Sequence, residues 1–178
     1  MRREVGEVFD EMLVLYAQAG RREALERLAC RWRPRHLSHA RRLLGSADRA
    51  ADAVQDAWIS IVRGLWQLKE TERFPAWSYA IVTRRCQDLM RRVSRENVVP
   101  LPDDIEDKKP SDVECAGDLR AGLNSLPREQ QAAVSLFYKD GFGVTEIAQA
   151  LGVPAGTVKS RLFHARRTLR RYLTGEST

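Results

Sequence analysis

What most limits how this chain can fold is the place where its helical rhythm stops. Apolar residues recur three and four positions apart along most of the sequence, but between Asn97 and Asp112 the period is lost. That stretch holds three prolines together with Asp103, Asp104, Glu106 and Asp107. Such a composition cannot bury one face and reads as a linker. Sustained apolar–polar alternation bounded by turn pairs, the mark of strands, is nearly absent. At 178 residues the length alone permits one domain or two small lobes. The break selects two: an all-α chain of two small helical domains, residues 1–95 and 113–178, joined by an acidic flexible linker over 96–112.

Within the first lobe the spacing predicts a helix from about Val8 to Ala19 that stops at Gly20. A second starts near Arg22 with Leu25, Leu28, Ala29 and Trp32 on one face. Pro34 should kink or restart it before Leu37, Ala40, Leu43 and Leu44 continue to Gly45. Ser46 is placed to cap a third helix, Ala47 to about Trp66, with Ala50, Val54, Ala57, Trp58, Ile61 and Leu65 inward. A polar loop, Gln67 to Arg73, precedes a fourth helix with Pro75 in its first turn, Trp77, Ile81 and Leu89 inward, and Arg91-Arg92 at its end. Helical pattern returns at about Val113. Leu126-Pro127-Arg128-Glu129-Gln130 opens a further helix burying Ala133, Leu136 and Phe137, and turns at Gly141-Phe142-Gly143 and Gly152-Val153-Pro154 delimit the last pair.

Composition narrows the function. With 43% hydrophobic and 30% charged residues the chain suits a globular protein, and no apolar run approaches the roughly 18 residues that span a bilayer. Met1-Arg2-Arg3-Glu4 lacks the start of a secretory signal, so the expected location is the cytoplasm, without membrane insertion. The formal net charge of +6 is unevenly spread: residues 1–94 carry +6, residues 95–120 carry −4 and residues 121–178 carry +4. Two basic lobes on an acidic strap point to a polyanionic partner. Cys30, Cys86 and Cys115 are odd in number and widely spaced, which suggests no disulfide framework. Cys30, His36 and His39 make a poor zinc set without paired Cys spacing, and Cys30 and Cys86 read better as small apolar residues on helix faces. There is no Walker loop, dinucleotide fingerprint or nucleophile motif around His164. No catalytic residue, metal or cofactor is expected, and the chain does not read as an enzyme.

VTEIAQALGVPAGTVKSRLFHA, Val144 to Ala165, carries the parts of a DNA-binding helix-turn-helix. Ile147, Ala148 and Leu151 pack the first helix, Gly152 supplies the left-handed residue that ends it, and Val153 plugs the angle. Val158 and Leu162 anchor the second helix from beneath, leaving Ala155, Gly156, Thr157, Lys159, Ser160, Arg161 and His164 toward its free or flanking faces. That half of the helix enters the major groove in this motif, where Lys and Arg meet guanine edges or phosphates. Arg166, Arg167, Arg170 and Arg171 are expected at the backbone or in solvent. In the first lobe the fourth helix carries Arg84, Arg85, Arg91 and Arg92, with Arg95 beyond, a stripe that attracts phosphate. Trp77 is open to two roles, stacking on an unpaired base or packing in the core, and its spacing with Ile81 and Leu89 favours the core. Asp52, Gln55 and Asp56 on the third helix would repel DNA and suit a protein partner.

ADAVQDAWISIVRGL, RFPAWSYAIVTRRCQDLMRR, the acidic linker and LNSLPREQQAAVSLFYKDGFGVTEIAQALGVPAGTVKSRLFHARRTL together resemble a bacterial RNA polymerase sigma factor of the extracytoplasmic-function group. The resemblance covers nearly the whole chain and implies a promoter-specificity subunit that binds core RNA polymerase, recognises promoter DNA and directs initiation. It implies polymerase binding through Asp52, Gln55 and Asp56. The minus-ten contacts it implies come from Trp77, Arg84, Arg85, Arg91 and Arg92, with the loop Gln67 to Arg73 holding a flipped base. Thr157, Lys159, Ser160, Arg161, His164 and Arg167 would meet the minus-thirty-five element. It also implies an anti-sigma partner and a connector whose Asp103, Asp104, Glu106 and Asp107 thread the polymerase cleft. The sequence departs from the family at Ala50-Ala51, where members often carry an acidic pair, and at Arg84, where Asn is common. The rival readings are a stand-alone helix-turn-helix regulator binding DNA as a homodimer and a basic nucleic-acid-modifying enzyme. The first needs a dimer interface and the second a nucleophile or metal set, and the sequence offers neither.

Overall fold

The computed structural model describes residues 5–96 and 120–174, which fall into two helical units. Asp103, Asp104, Glu106, Asp107 and Cys115, and the expected start of the second lobe at Val113, lie outside the described residues.

The first unit contains α1 (Val5–Gln18), α2 (Arg22–Leu44), α3 (Ala47–Gly64) and α4 (Phe74–Glu96), with 3-10 turns at Leu65–Gln67 and Thr71–Arg73 between the last two. Gly20 and Gly45 take positive φ of 81° and 68° where α1 and α2 end, and Ser46 Oγ accepts from the Arg49 N–H to cap α3. The restart expected at Pro34 does not occur, since α2 runs through it. Pro34 and Cys30 are both exposed, so the proline sits on the solvent side of α2, where a missing N–H is tolerated. Cys30 is thus not a packed residue, whereas Cys86 is buried.

Trp32 centres the core of this unit. Its ring meets Phe74 and Tyr79 edge-on at centroid distances of 5.7 and 6.2 Å, and Leu28, Val54, Ile61 and Leu65 fill in around them. The inward face of α4 is Phe74, Ala76, Ser78, Tyr79, Val82, Thr83 and Cys86, while the expected Trp77, Ile81 and Leu89 are half-buried at its edge. The apolar rule missed the true face because two of its positions are hydroxyl residues. Those hydroxyls serve two buried imidazoles: His36 Nε2 lies 3.1 Å from Ser78 Oγ and His39 Nε2 lies 2.9 Å from Thr83 Oγ1.

The second unit has helical residues at 120–124, then α5 (Arg128–Tyr138), α6 (Val144–Leu151) and α7 (Ala155–Thr174). Its core is small: Leu126, Ala132, Ala133, Val134, Leu136, Phe142, Ile147, Ala150, Leu151, Val158, Leu162 and Ala165. Phe137, expected inside, is half-buried. Gly141 and Gly152 take positive φ of 73° and 65° at the two turns, and Glu146 closes α6's amino end by accepting the Gly143 N–H at 2.7 Å. Among the described residues no helix is long and apolar enough to cross a membrane.

Candidate nucleic-acid interface

In the second unit the site is the outward arc of α7. Val158, Leu162 and Ala165 are buried, which turns Gly156, Ser160, Phe163 and Arg167 outward at spacings of four, three and four. Lys159 and His164 flank that arc and are exposed, and Thr157 and Arg161 are half-buried beside the buried stripe. The first turn of α7 carries no acidic residue, so the positive end of its dipole is uncompensated there. A Cβ on Gly156 would meet nothing within 4 Å, so the backbone lies open. Of the six residues expected at the upstream element, Ser160 and Arg167 lie on the outward arc, Lys159 and His164 flank it, and Thr157 and Arg161 sit nearer the buried stripe. Phe163, which sequence reasoning passed over, is 62% exposed in the middle of the arc. Its signal was available, since a buried Leu162 sends the next residue outward.

The arginines after it divide. Arg166 Nε donates to Tyr138 Oη at 2.9 Å and its guanidinium lies over the Phe137 and Tyr138 rings at 5.4 and 5.8 Å. It ties α7 to α5 while the residue itself stays exposed. Arg167, Arg170 and Arg171 are exposed.

In the first unit Asp52, Gln55 and Asp56 are all exposed on one face of α3, which continues through Ile59 and Arg63 toward Trp66. Arg84, Arg91 and Arg92 on α4 are exposed, with Arg91 3.5 Å from Asp88. Arg85 is half-buried and donates to Ser60 Oγ on α3 at 2.8 Å. Trp77 is half-buried, its Cζ2 only 3.0 Å from where a Cβ on Gly64 would stand. Arg85 and Trp77 thus join the α3–α4 packing, whereas Arg84 and Arg92 are exposed and Arg91 is exposed beside Asp88. The acidic face and the basic helix share a cleft lined by Asp52, Asp56, Arg85, Asp88, Leu89 and Arg92. Sequence reasoning had kept them apart, because helix spacing does not show which faces of different helices adjoin.

Cys30, His36 and His39 are not a metal site. Cys30 is exposed, both Nε2 atoms face hydroxyls, and no group of metal-ligating residues is found among the described residues. Ser78 Oγ donates to the Pro75 carbonyl at 2.9 Å, so it accepts from His36, which fixes the proton on Nε2. His36 Nδ1 and His39 Nδ1 are buried without a protein partner. Burial pushes both imidazoles down to about 3, helped at His36 by His39 and Arg35 and at His39 by Arg42. Burial likewise raises the Cys86 thiol to about 12, leaving it unreactive.

Two family models match these units separately. Residues 28–96, covering most of α2 through α4, match sigma-70 region 2, and residues 116–169, containing the helix-turn-helix, match sigma-70 region 4. The ECF RNA polymerase sigma factor SigE of Mycolicibacterium smegmatis is 36% identical over 148 residues, 78% of this chain but only 57% of that protein. SigM of Mycobacterium tuberculosis, strain H37Rv, is 34% identical over 166 residues, 92% of this chain and 84% of that one. Among solved structures, the sigma factor RpoE of Bartonella quintana, crystallised with the anti-sigma factor NepR, shares the fold. It has a TM-score of 0.69 at 24% identity, over 85% of this chain and 98% of that chain. Carrying both regions in order, and pairing with SigM along most of both sequences, this chain belongs to the ECF RNA polymerase sigma factors.

Proposed function

We propose that this protein is a promoter-specificity subunit that works in the cytoplasm by binding core RNA polymerase and directing it to promoter DNA. Residues 1–95 hold the polymerase through Asp52, Gln55 and Asp56. They engage the minus-ten element with Arg84, Arg91 and Arg92, while Arg85 and Trp77 act from within the α3–α4 seam. The loop Gln67 to Arg73 takes an unpaired base. Residues 113–178 read the minus-thirty-five element with Thr157, Lys159, Ser160, Arg161, His164 and Arg167, and Phe163 meets a thymine methyl in the same groove. The acidic linker, 96–112, joins the two through the polymerase cleft. An anti-sigma protein covers the polymerase-binding surfaces when transcription is not required. The protein contributes no catalysis, which remains with the polymerase.

The observation that carries this reading is the outward arc of α7, where a helix end with no acidic residue in its first turn, an open Gly156 backbone and exposed cations stand over a buried anchoring stripe. Purified core polymerase plus this protein, tested on a promoter library, should initiate at a defined promoter class that core polymerase alone ignores. Lys159→Ala should weaken selection at the upstream element of those promoters. No stimulation of core polymerase, with tight sequence-specific binding by the protein alone, would overturn the reading in favour of a stand-alone regulator.

A further inference from the structure

The helix α1 has two apolar faces, and only one of them is covered. Asp10, Leu13, Val14 and Ala17 turn inward, where α1 packs on α2. Val5, Val8, Met12 and Leu15 form a second row that stays open, from 43% exposed at Val8 to 87% at Val5. Phe9 and Tyr16 are exposed too and widen the row along one edge. An open aliphatic and aromatic row on a folded unit marks a surface that another molecule covers. Spacing alone does not separate the two faces, because apolar residues run almost all round this helix; exposure does.

The row's spacing and edges indicate what covers it. Val5, Val8, Met12 and Leu15 follow one another at intervals of three, four and three, the period of a seam between two helices lying side by side. One edge of that seam is cationic. The Arg31 guanidinium lies over the Phe9 ring at 5.8 Å and that of Arg21 over the Tyr16 ring at 4.8 Å. The other edge carries Glu11 and Gln18. Two copies of α1 packed antiparallel would set like edge against like edge. Packed in parallel, they set the arginine edge of each against the glutamate edge of the other. The remaining segments of the chain do not suit the row: residues 1–4 and 175–178 are too short, and residues 97–119 contain Pro100, Pro102 and Pro110, which the interior of a helix does not accept.

We propose that α1 is a homodimerisation helix that pairs in parallel with α1 of a second copy of this chain. Val5, Val8, Met12 and Leu15 form the seam, and Glu11 of each copy meets Arg21 of the other. In that register Glu11 falls beside Tyr16 of the second copy, whose ring Arg21 already covers. Two heptads bury less than the roughly 1,200–2,000 Å² typical of stable complexes, so the pairing is reversible, with a Kd on the order of 10 μM. The seam shares no residue with the surfaces assigned to polymerase or DNA, so the proposal stands apart from the promoter reading.

The test is the mass of the full chain in solution, without polymerase or DNA, by sedimentation velocity from about 1 to about 100 μM. Wild type should pass from monomer to dimer across that range. Met12→Glu should raise the Kd about tenfold or more while the helical circular dichroism stays that of wild type. Charge reversal tests the same seam without touching its apolar row. Glu11→Arg and Arg21→Glu should each weaken pairing about fivefold at low salt, and the two together should restore it. A chain that stays monomeric at about 100 μM overturns the proposal. So does a dimer that tolerates Met12→Glu, because it would use another surface. A dimer that the double reversal weakens more than either single change overturns the parallel arrangement.

Discussion

The two units build their interiors from different materials. Residues 5–96 bury Asp10, His36, His39, Ser78 and Thr83, the two imidazoles among aromatic rings, whereas the buried side chains described in residues 120–174 are all apolar. In the first unit Tyr79 stands edge-on to both imidazoles, with centroids 5.1 and 5.0 Å away, and each Nε2 meets a hydroxyl from the same helix. A slip of α4 by one residue would separate both pairs at once, so the polar contacts specify register as well as cohesion. The second unit obtains its shape from the backbone. Small residues such as Ala132, Ala133 and Ala165 let helices approach, and left-handed glycines turn the chain. One interior is thus sensitive to protons and the other to substitutions at its turns.

Acid should separate them with the largest effect. Above pH 6.5 both imidazoles are neutral in folded and unfolded chains alike. Between 6.5 and about 3 the unfolded chain takes up protons that the folded one refuses, so the first unit loses stability steadily as pH falls through that window. Each tenfold drop in an imidazole's proton affinity on folding is worth about 1.4 kcal/mol in acid. The pair therefore withdraws on the order of several kcal/mol, a large part of the roughly 5–15 kcal/mol that holds a domain together. All four tryptophans belong to the first unit, so their emission reports on it alone. Emission should shift red between about pH 6 and pH 4 while much of the far-ultraviolet helical signal survives. Coincident loss of both signals would erase the contrast.

A smaller effect should come from the glycines. Gly152 has φ of 65° and open space where a Cβ would go, so Gly152→Ala meets only backbone strain, about 1–2 kcal/mol. Gly152→Asn should recover part of it, because Asn tolerates the left-handed region. Gly64, with φ of −90°, carries no such strain. A Cβ there stands 3.0 Å from Trp77 Cζ2, so Gly64→Ala should act by displacing that ring. Hydrogen exchange in α6 and α7 for Gly152, and tryptophan emission for Gly64, distinguish the two mechanisms. Equal rescue of both sites by Asn would show that the backbone is not what makes Gly152 special.

The same division governs how much could be read in advance. Ser46, Gly20, Gly45, Gly141 and Gly152 marked the turns and caps where they are found, because caps and left-handed turns are local chemistry. The helix-turn-helix was readable for that reason: Val158 and Leu162 fix one face, and the exposed residues follow by geometry. What was hidden depends on partners distant in sequence. Ser78 and Thr83 look like solvent residues until His36 and His39, more than forty positions away, are brought beside them. Pro34 looks like a place to restart the helix until α2 proves continuous through it. The hydrogen bonds of Arg85 to Ser60 and of Arg166 to Tyr138 were hidden too, because no single-helix pattern shows which arginine reaches a neighbouring helix.

Arg166 and Arg167, adjacent in sequence, give the finest test, since they place a structural and a functional cation one residue apart. Arg166 is bound to Tyr138 Oη and stacked on Phe137, while Arg167 points outward with Ser160 and Phe163. Arg166→Ala should lower the stability of the second unit by about 1 kcal/mol through the lost hydrogen bond and ring contact. Arg167→Ala should change stability by less than about 0.5 kcal/mol. On DNA the order should reverse. If Arg167 neutralises a phosphate, its removal lowers the slope of log affinity against log salt by about 0.9 for holoenzyme on duplex upstream-element DNA, and Arg166→Ala leaves that slope unchanged. Thermal unfolding and a salt titration on the two variants measure both axes. A slope change from Arg166→Ala with no loss of stability would mean that Tyr138 does not hold it, and the line between scaffold and DNA-facing surface on α7 would have to be moved one residue toward its amino end.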